Sequence, residues 1–166
     1  MSFESHLDDP LLREVYAYWR QKRAARRMPQ RRQIDPADVP RLLPHLSISE
    51  VIDAGQRFRY RLVGTAVARA LGRDPTGHCI DDTAGADTGD PVGALHRTVC
   101  RERVALFATN ALAGRTHVQY RVVRRLLLPL SEDDASVHQI LSLAVFQFAV
   151  GAPMLTVLDV ASPSLS

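Results

Sequence analysis

Lysine is almost missing from this 166-residue chain: of its 21 basic residues only Lys22 is a lysine, and the rest are arginines. Arginine prefers planar, bidentate or stacked partners, which admits phosphate or carboxylate contacts, although a base composition rich in arginine codons accounts for the bias more simply. Cysteine is scarce too. Cys79 and Cys100 make no disulfide framework, and the start MSFESHLDDP lacks the basic-then-apolar layout of a secretion signal. A reduced, cytoplasmic protein is therefore the expectation. No apolar run approaches the ~20 residues that a membrane helix needs. The sequence contains no Gly-x-Ser-x-Gly elbow, no phosphate-cradling glycine loop and no His-Glu-x-x-His, so it is not expected to be an enzyme. It holds no histidine-kinase or cyclase segment either.

What is present is ordinary in amount. Hydrophobic residues make up 46%, charged residues 23%, and the net charge is +3, the profile of a soluble globular protein. The length suits one domain, with room for an appended arm and a core that buries roughly 70% of the unfolded surface.

The most structured stretch is Phe58 to Gly77. Phe58, Tyr60 and Leu62 alternate with Arg59, Arg61 and Val63, the period-2 pattern of a strand with one buried and one wet face. Gly64 interrupts it, and Thr65 caps a short helix with Val67, Ala68 and Leu71 as its apolar side. Gly72 stands where a left-handed cap belongs, and Arg73 to Gly77 reads as a polar turn.

Before this stretch, Asp8-Asp9-Pro10 starts a helix that runs to about Ala25, with Leu11, Leu12, Val15, Tyr16 and Trp19 at helical spacing. A basic, proline-broken connector follows to Arg32. Asp35-Pro36 begins a short helical piece that Pro44 closes, and Leu46 to Ile52 reads as a first strand. The turn at Asp53 to Gln56 then returns the chain into the Phe58 strand as a hairpin.

After Gly77, residues 79–91 read as loop with at most single helical turns. Asp90-Pro91 starts a helix carrying Val92, Leu95, His96, Val99 and Cys100. Val104, Leu106 and Ala108 mark a third strand, and His117 to Leu130 a long fourth one. Val137 to about Val150 is a fifth strand, apolar on both sides as a central strand would be. A short apolar piece, Met154 to Val160, lies in a tail expected to fray. Sequential strands with tight turns pair antiparallel, and helices grouped between the second and third strands cover one face, so the class is α+β.

The order of several short motifs adds a family. Tyr18-Trp19 with Arg23, Pro29 and Arg31 is followed by Ile34-Asp35-Pro36 and Leu42-Leu43-Pro44. Then come Phe58-Arg59-Tyr60-Arg61-Leu62-Val63-Gly64-Thr65, Gly72-Arg73-Asp74 with Thr76-Gly77, and Leu128-Pro129-Leu130-Ser131. Over roughly residues 11–148 this resembles a PAS domain, and in particular a bacterial branch of small, often single-domain PAS proteins. One departure is the turn Ser131-Glu132-Asp133-Asp134-Ala135, where the pattern has glycine after the aspartate. The resemblance implies a five-stranded antiparallel sheet in spatial order 2-1-5-4-3, with short helices over one face and an N-terminal helical extension. The expected division is 1–33 for the N-terminal helix and basic connector, 34–150 for the PAS core and 151–166 for the tail. It also implies a stand-alone sensory or adaptor protein in signalling that works through a small molecule, protein contact or both.

Candidate site residues follow from chemistry. Arg124 interrupts the apolar even positions of the fourth strand, so it is paired, reaches solvent along its stem, or holds a ligand carboxylate. Tyr60 and Tyr120 add inward hydroxyls, with plain core as the alternative. His96 lies where haem-binding PAS domains often place their iron ligand; the plainer reading is a partly exposed histidine beside Arg97 and Arg101. Cys100 and Cys79 read as small packed hydrophobes, and Cys79 lacks the neighbours a flavin photosensor needs. His78, Cys79, Asp81 and Asp82 are too close in sequence for a tetrahedral metal site, so no metal is expected. The cofactor is left open between none, haem and, less fittingly, flavin. A homodimer is expected through Leu12, Val15, Tyr16 and Trp19. Nucleic acid at the basic connector is the alternative from another class; without helix-turn-helix context or a stacking platform, a solvated charged face is the default.

Overall fold

The computed structural model describes residues 2–83, 90–111, 122–148 and 154–160. Its sheet is built from β1 (Leu46–Ile52), β2 (Arg57–Val63), β3 (Leu106–Ala111), β4 (Val122–Leu130), β5 (Gln139–Gln147) and β6 (Leu155–Leu158). The helices are α1 (Pro10–Arg23), α2 (Thr65–Leu71), α3 (Ile80–Thr83) and α4 (Pro91–Glu102). The strands lie in the order β2-β1-β5-β4-β3-β6, and every pairing is antiparallel. The expected order 2-1-5-4-3 is thus present, with one strand added.

That addition corrects the reading of the C-terminal stretch as a plain tail. Leu155 to Leu158 pair with Thr109 to Leu106, which covers an edge of β3 that would otherwise expose unpaired backbone groups. Four residues with a weak apolar pattern do not announce a strand in sequence; the open edge beside them makes them one. Asp159 follows, buried, and accepts the hydroxyl hydrogen bond of Tyr16 from α1.

Local signals explain the shorter elements. Asp9 and Pro10 open α1, the Asp9 carboxylate accepting the Leu11 N–H. The helix ends at Arg23, two residues before the expected end, because Ala24 turns to φ +48. The Asp35 stretch forms separate 3-10 turns, Pro36–Asp38 and Leu43–His45, in place of one short helix. Prolines at 36, 40 and 44 withhold the amide protons a continuous helix needs. Gly64, not Thr65, is the N-cap of α2. A Cβ there would collide with the backbone oxygens of Leu43 and Pro44, so glycine is required by close approach. Gly72 caps α2 in the left-handed region, as expected.

The departure at Asp134 has a structural answer. Asp134 takes φ +60, the conformation a glycine would supply and one that aspartate tolerates better than most residues. Its carboxylate accepts the backbone N–H groups of Arg27 and Met28. Neighbouring Asp133 accepts from Ser131 Oγ, Ala135 N and Ser136 N, and those donors hold its carboxyl down at about 2.

Candidate functional site

Cross-strand partners point to the same side of a sheet, so the register separates two faces. On one, Leu126 stands beside Phe107 and Leu143, and Leu128 beside Leu141, which continues to Ile48. The α1 helix covers this face with Leu12, Val15 and Trp19, and Trp19 Nε1 donates to the Pro129 carbonyl at 2.9 Å. On the opposite face, Arg125 stands between Ala108 and Ala144, and Leu127 between Leu106 and Ser142. Ser142 continues to Ser47, and Tyr60 of β2 lies beside Ser49. The second face is therefore small and polar at its centre.

Three ionisable groups meet there. His96, on α4, is 3% exposed. Its Nδ1 lies 2.8 Å from the Val92 carbonyl; a carbonyl only accepts, so Nδ1 carries the proton and Nε2 keeps its lone pair. Its ring packs on Phe58 of β2 at 5.1 Å between centroids. Burial first, and then the positive charge of Arg125, hold the imidazole down at about 4, so it is neutral at pH 7. Tyr60 is buried, and burial raises its hydroxyl pKa. Arg125 is half-buried, and desolvation lowers its pKa, opposed by the nearby Tyr60. No carboxylate among the described residues pairs with Arg125. Asp90, the closest acidic candidate in sequence to α4, is engaged by Arg97 and caps the helix through Gly93 N. The hydroxyls of Ser49 and Ser142 are buried on this same face without a hydrogen-bond partner.

The expected site is thereby redistributed. Arg124 faces α1 and forms an ion pair with Asp8, the paired alternative, and the arginine on the α4 face is its neighbour Arg125. The even-position reading of β4 missed this because both faces of that strand are covered, and either parity can carry an interior residue. Tyr60 and His96 lie on the Arg125 face, and His96 is buried where a partly exposed residue was the plainer reading. Tyr120 lies outside the described residues. Cys100, one turn beyond His96, lines instead a shallow cleft of about 570 Å³ with Gly55, Arg103 and His138; burial pushes its thiol up to about 11. Ser49 and Ser142 carried no signal in the sequence, since small polar residues are common in strands.

The proposed dimer contacts need correction. Leu12 and Val15 are 0% exposed, and Tyr16 and Trp19 are buried with them. These side chains seal the chain's own sheet and offer no surface to a second copy. The basic connector is likewise tied inward. Arg26 donates to the Ser131 carbonyl, Arg31 N donates to Glu132, and Arg23 stacks over Trp19. The acidic turn at 132–134 thus lies against it through backbone contacts, while Arg27 and Arg32 stay exposed. Cys79, Asp81 and Asp82 do come together, with ligand atoms within 4.8 Å of one another. Arg57 already binds both carboxylates, so a cation's place is taken by a guanidinium.

No helix among the described residues is long and apolar enough to cross a membrane. No curated protein matches the chain. A family model described as PAS domain matches residues 7–145, a span that takes in α1, both sheet faces and the polar group around Arg125. On that match and on this strand order, the chain belongs to the PAS domain family.

Proposed function

We propose that this PAS domain is a sensory module whose input is a small molecule held between the sheet and α4, and whose output is contact with a signalling partner, with no catalysis of its own. One observation carries the reading. The face under α4 gathers Ser49 and Ser142, whose buried hydroxyls lack a hydrogen-bond partner, with buried Tyr60 and His96 and half-buried Arg125. Buried polar groups are normally satisfied, and a ligand is one way to satisfy them together. Apolar walls with a few convergent polar groups and perturbed pKa values are the surroundings in which small molecules bind.

A second reading places haem at His96. The Nδ1–H bond to Val92 leaves Nε2 unprotonated, the state in which an imidazole ligates iron. The two are separated on freshly purified protein by an absorption spectrum and non-denaturing mass spectrometry. A colourless sample carrying an extra mass that denaturation releases is the expected result. A Soret band transfers the site to haem. A bare chain mass, with no thermal shift across a small-molecule panel, leaves an adaptor that works by protein contact alone.

A further inference from the structure

The chemical class of the ligand can be read from the same face; the inference rests on the small-molecule reading above. Arg125 sits mid-strand, and both of its cross-strand neighbours are alanines, Ala108 and Ala144. Arg124, one residue away, stands between Thr109 and Val145 and meets Asp8. The two arginines therefore occupy opposite situations: Arg124 has a counterion, whereas Arg125 stands between small side chains with no carboxylate partner among the described residues. A half-buried charge without a counterion carries part of the desolvation cost of a buried one. A bound anion removes that cost.

The form of the anion is constrained further. The other cation whose charge reaches His96 is committed elsewhere: Arg97 donates to Asp90 and to the Gln56 carbonyl. One uncommitted guanidinium balances one negative charge, and its planar fork fits two carboxylate oxygens side by side. A phosphate dianion would remain half-compensated, and among the described residues neither a glycine-rich loop nor a second uncommitted arginine is on this face to hold it. Ser142 is the diagonal neighbour of Arg125 across β4 and β5, on the same side, with its hydroxyl free. Phe58 and Leu127 supply apolar wall, and His96 presents a lone pair that accepts from a hydroxyl.

We propose that the ligand is a small organic monocarboxylate, gripped by the Arg125 guanidinium with help from Ser142, its apolar remainder lying along Phe58 and Leu127. A hydroxyl on that remainder meets the His96 side of the pocket.

Calorimetric titration of the full chain at pH 7 with lactate, mandelate, benzoate and salicylate, and with the primary amide of each, tests this. Expected are saturable binding of at least one acid, binding of its amide weaker by tenfold or more, and no competition by inorganic phosphate. Arg125→Met should weaken the acid by roughly tenfold to a hundredfold, the range for lost charge-assisted hydrogen bonds. Arg125→Lys, which keeps the charge and loses the fork, should fall between, and it serves where the methionine variant does not fold. Arg124→Met should bind as the wild type does. Amides binding as tightly as acids, or undiminished acid binding by Arg125→Met, would overturn the carboxylate assignment while the small-molecule reading stands. A neutral molecule or a phosphate ester released from the purified protein has the same consequence. No binding by any probe, together with a bare chain mass, removes both.

Discussion

The two faces of this sheet share backbone and register yet are built on opposite rules. Under α1, leucines, isoleucine, valine and phenylalanine interlock with Leu12, Val15 and Trp19, and a charged intruder on β4, Arg124, pairs with Asp8. Under α4, alanines and serines surround a guanidinium, a phenol and a neutral imidazole. Each large apolar side chain buried on the first face contributes about 1.5–3 kcal/mol. On the second face the small residues forgo much of that, and the polar ones add desolvation costs. One face stabilises the domain. The other keeps room and chemistry in the interior at the expense of stability, a combination expected of sites shaped for function.

Substitutions can break or sharpen this contrast. The largest effect belongs to the apolar face: Trp19→Ala should cost about 3–5 kcal/mol in urea denaturation, with added loss from the orphaned Pro129 carbonyl. The polar face should respond to acid. His96 falls from its ordinary 6.5 to about 4 in the folded state, so the unfolded chain binds this proton first as pH drops. Stability due to the neutral imidazole is fully present above 6.5 and is lost as pH falls through about 4, by about 3 kcal/mol in all. His96→Gln should flatten the stability–pH curve in that window, and a slope that persists would assign it to other groups. Asp133, held at about 2, acts in a separate, lower window between ordinary carboxylate titration and pH 2. Arg125→Met should have the opposite sign to Trp19→Ala, stabilising the ligand-free domain by about 1 kcal/mol because it removes a half-buried charge with no carboxylate partner among the described residues. A destabilised Arg125→Met would make the two faces alike and remove the contrast. The smallest change is expected from Asp8→Asn, under about 1 kcal/mol, since the Arg124 pair is exposed on its aspartate side.

Much of the fold was legible in local patterns. Alternation at Phe58 to Val63, the Asp-Pro helix starts, Gly72 at a left-handed cap and the doubly apolar fifth strand each have a local cause, and the structure carries all of them. Two features were legible only in part. The strand at Leu155 to Leu158 depends on the free edge of β3, which lies nearly fifty residues away in the chain. The burial of Tyr16 depends on Asp159, and their hydrogen bond joins residues 143 positions apart. The site was less legible still. In Arg124-Arg125 the sequence offers two adjacent identical side chains, and a strand sends them to opposite faces. Which one meets Asp8 and which one meets the interior is a matter of what covers each face.

The sequence by itself determined the succession of the central strands and the chemistry available to the interior, because periodicity, caps and turn residues act over a few positions; the spatial order of those strands followed only from the resemblance of its motifs to the PAS family. Tertiary structure alone decided that α1 is spent on sealing the sheet, that the acidic turn engages the basic connector, and that Arg125 shares a buried face with Tyr60 and His96. Those outcomes depend on burial and pairing between segments distant in the chain. Neither property belongs to any residue until the sheet has closed over it.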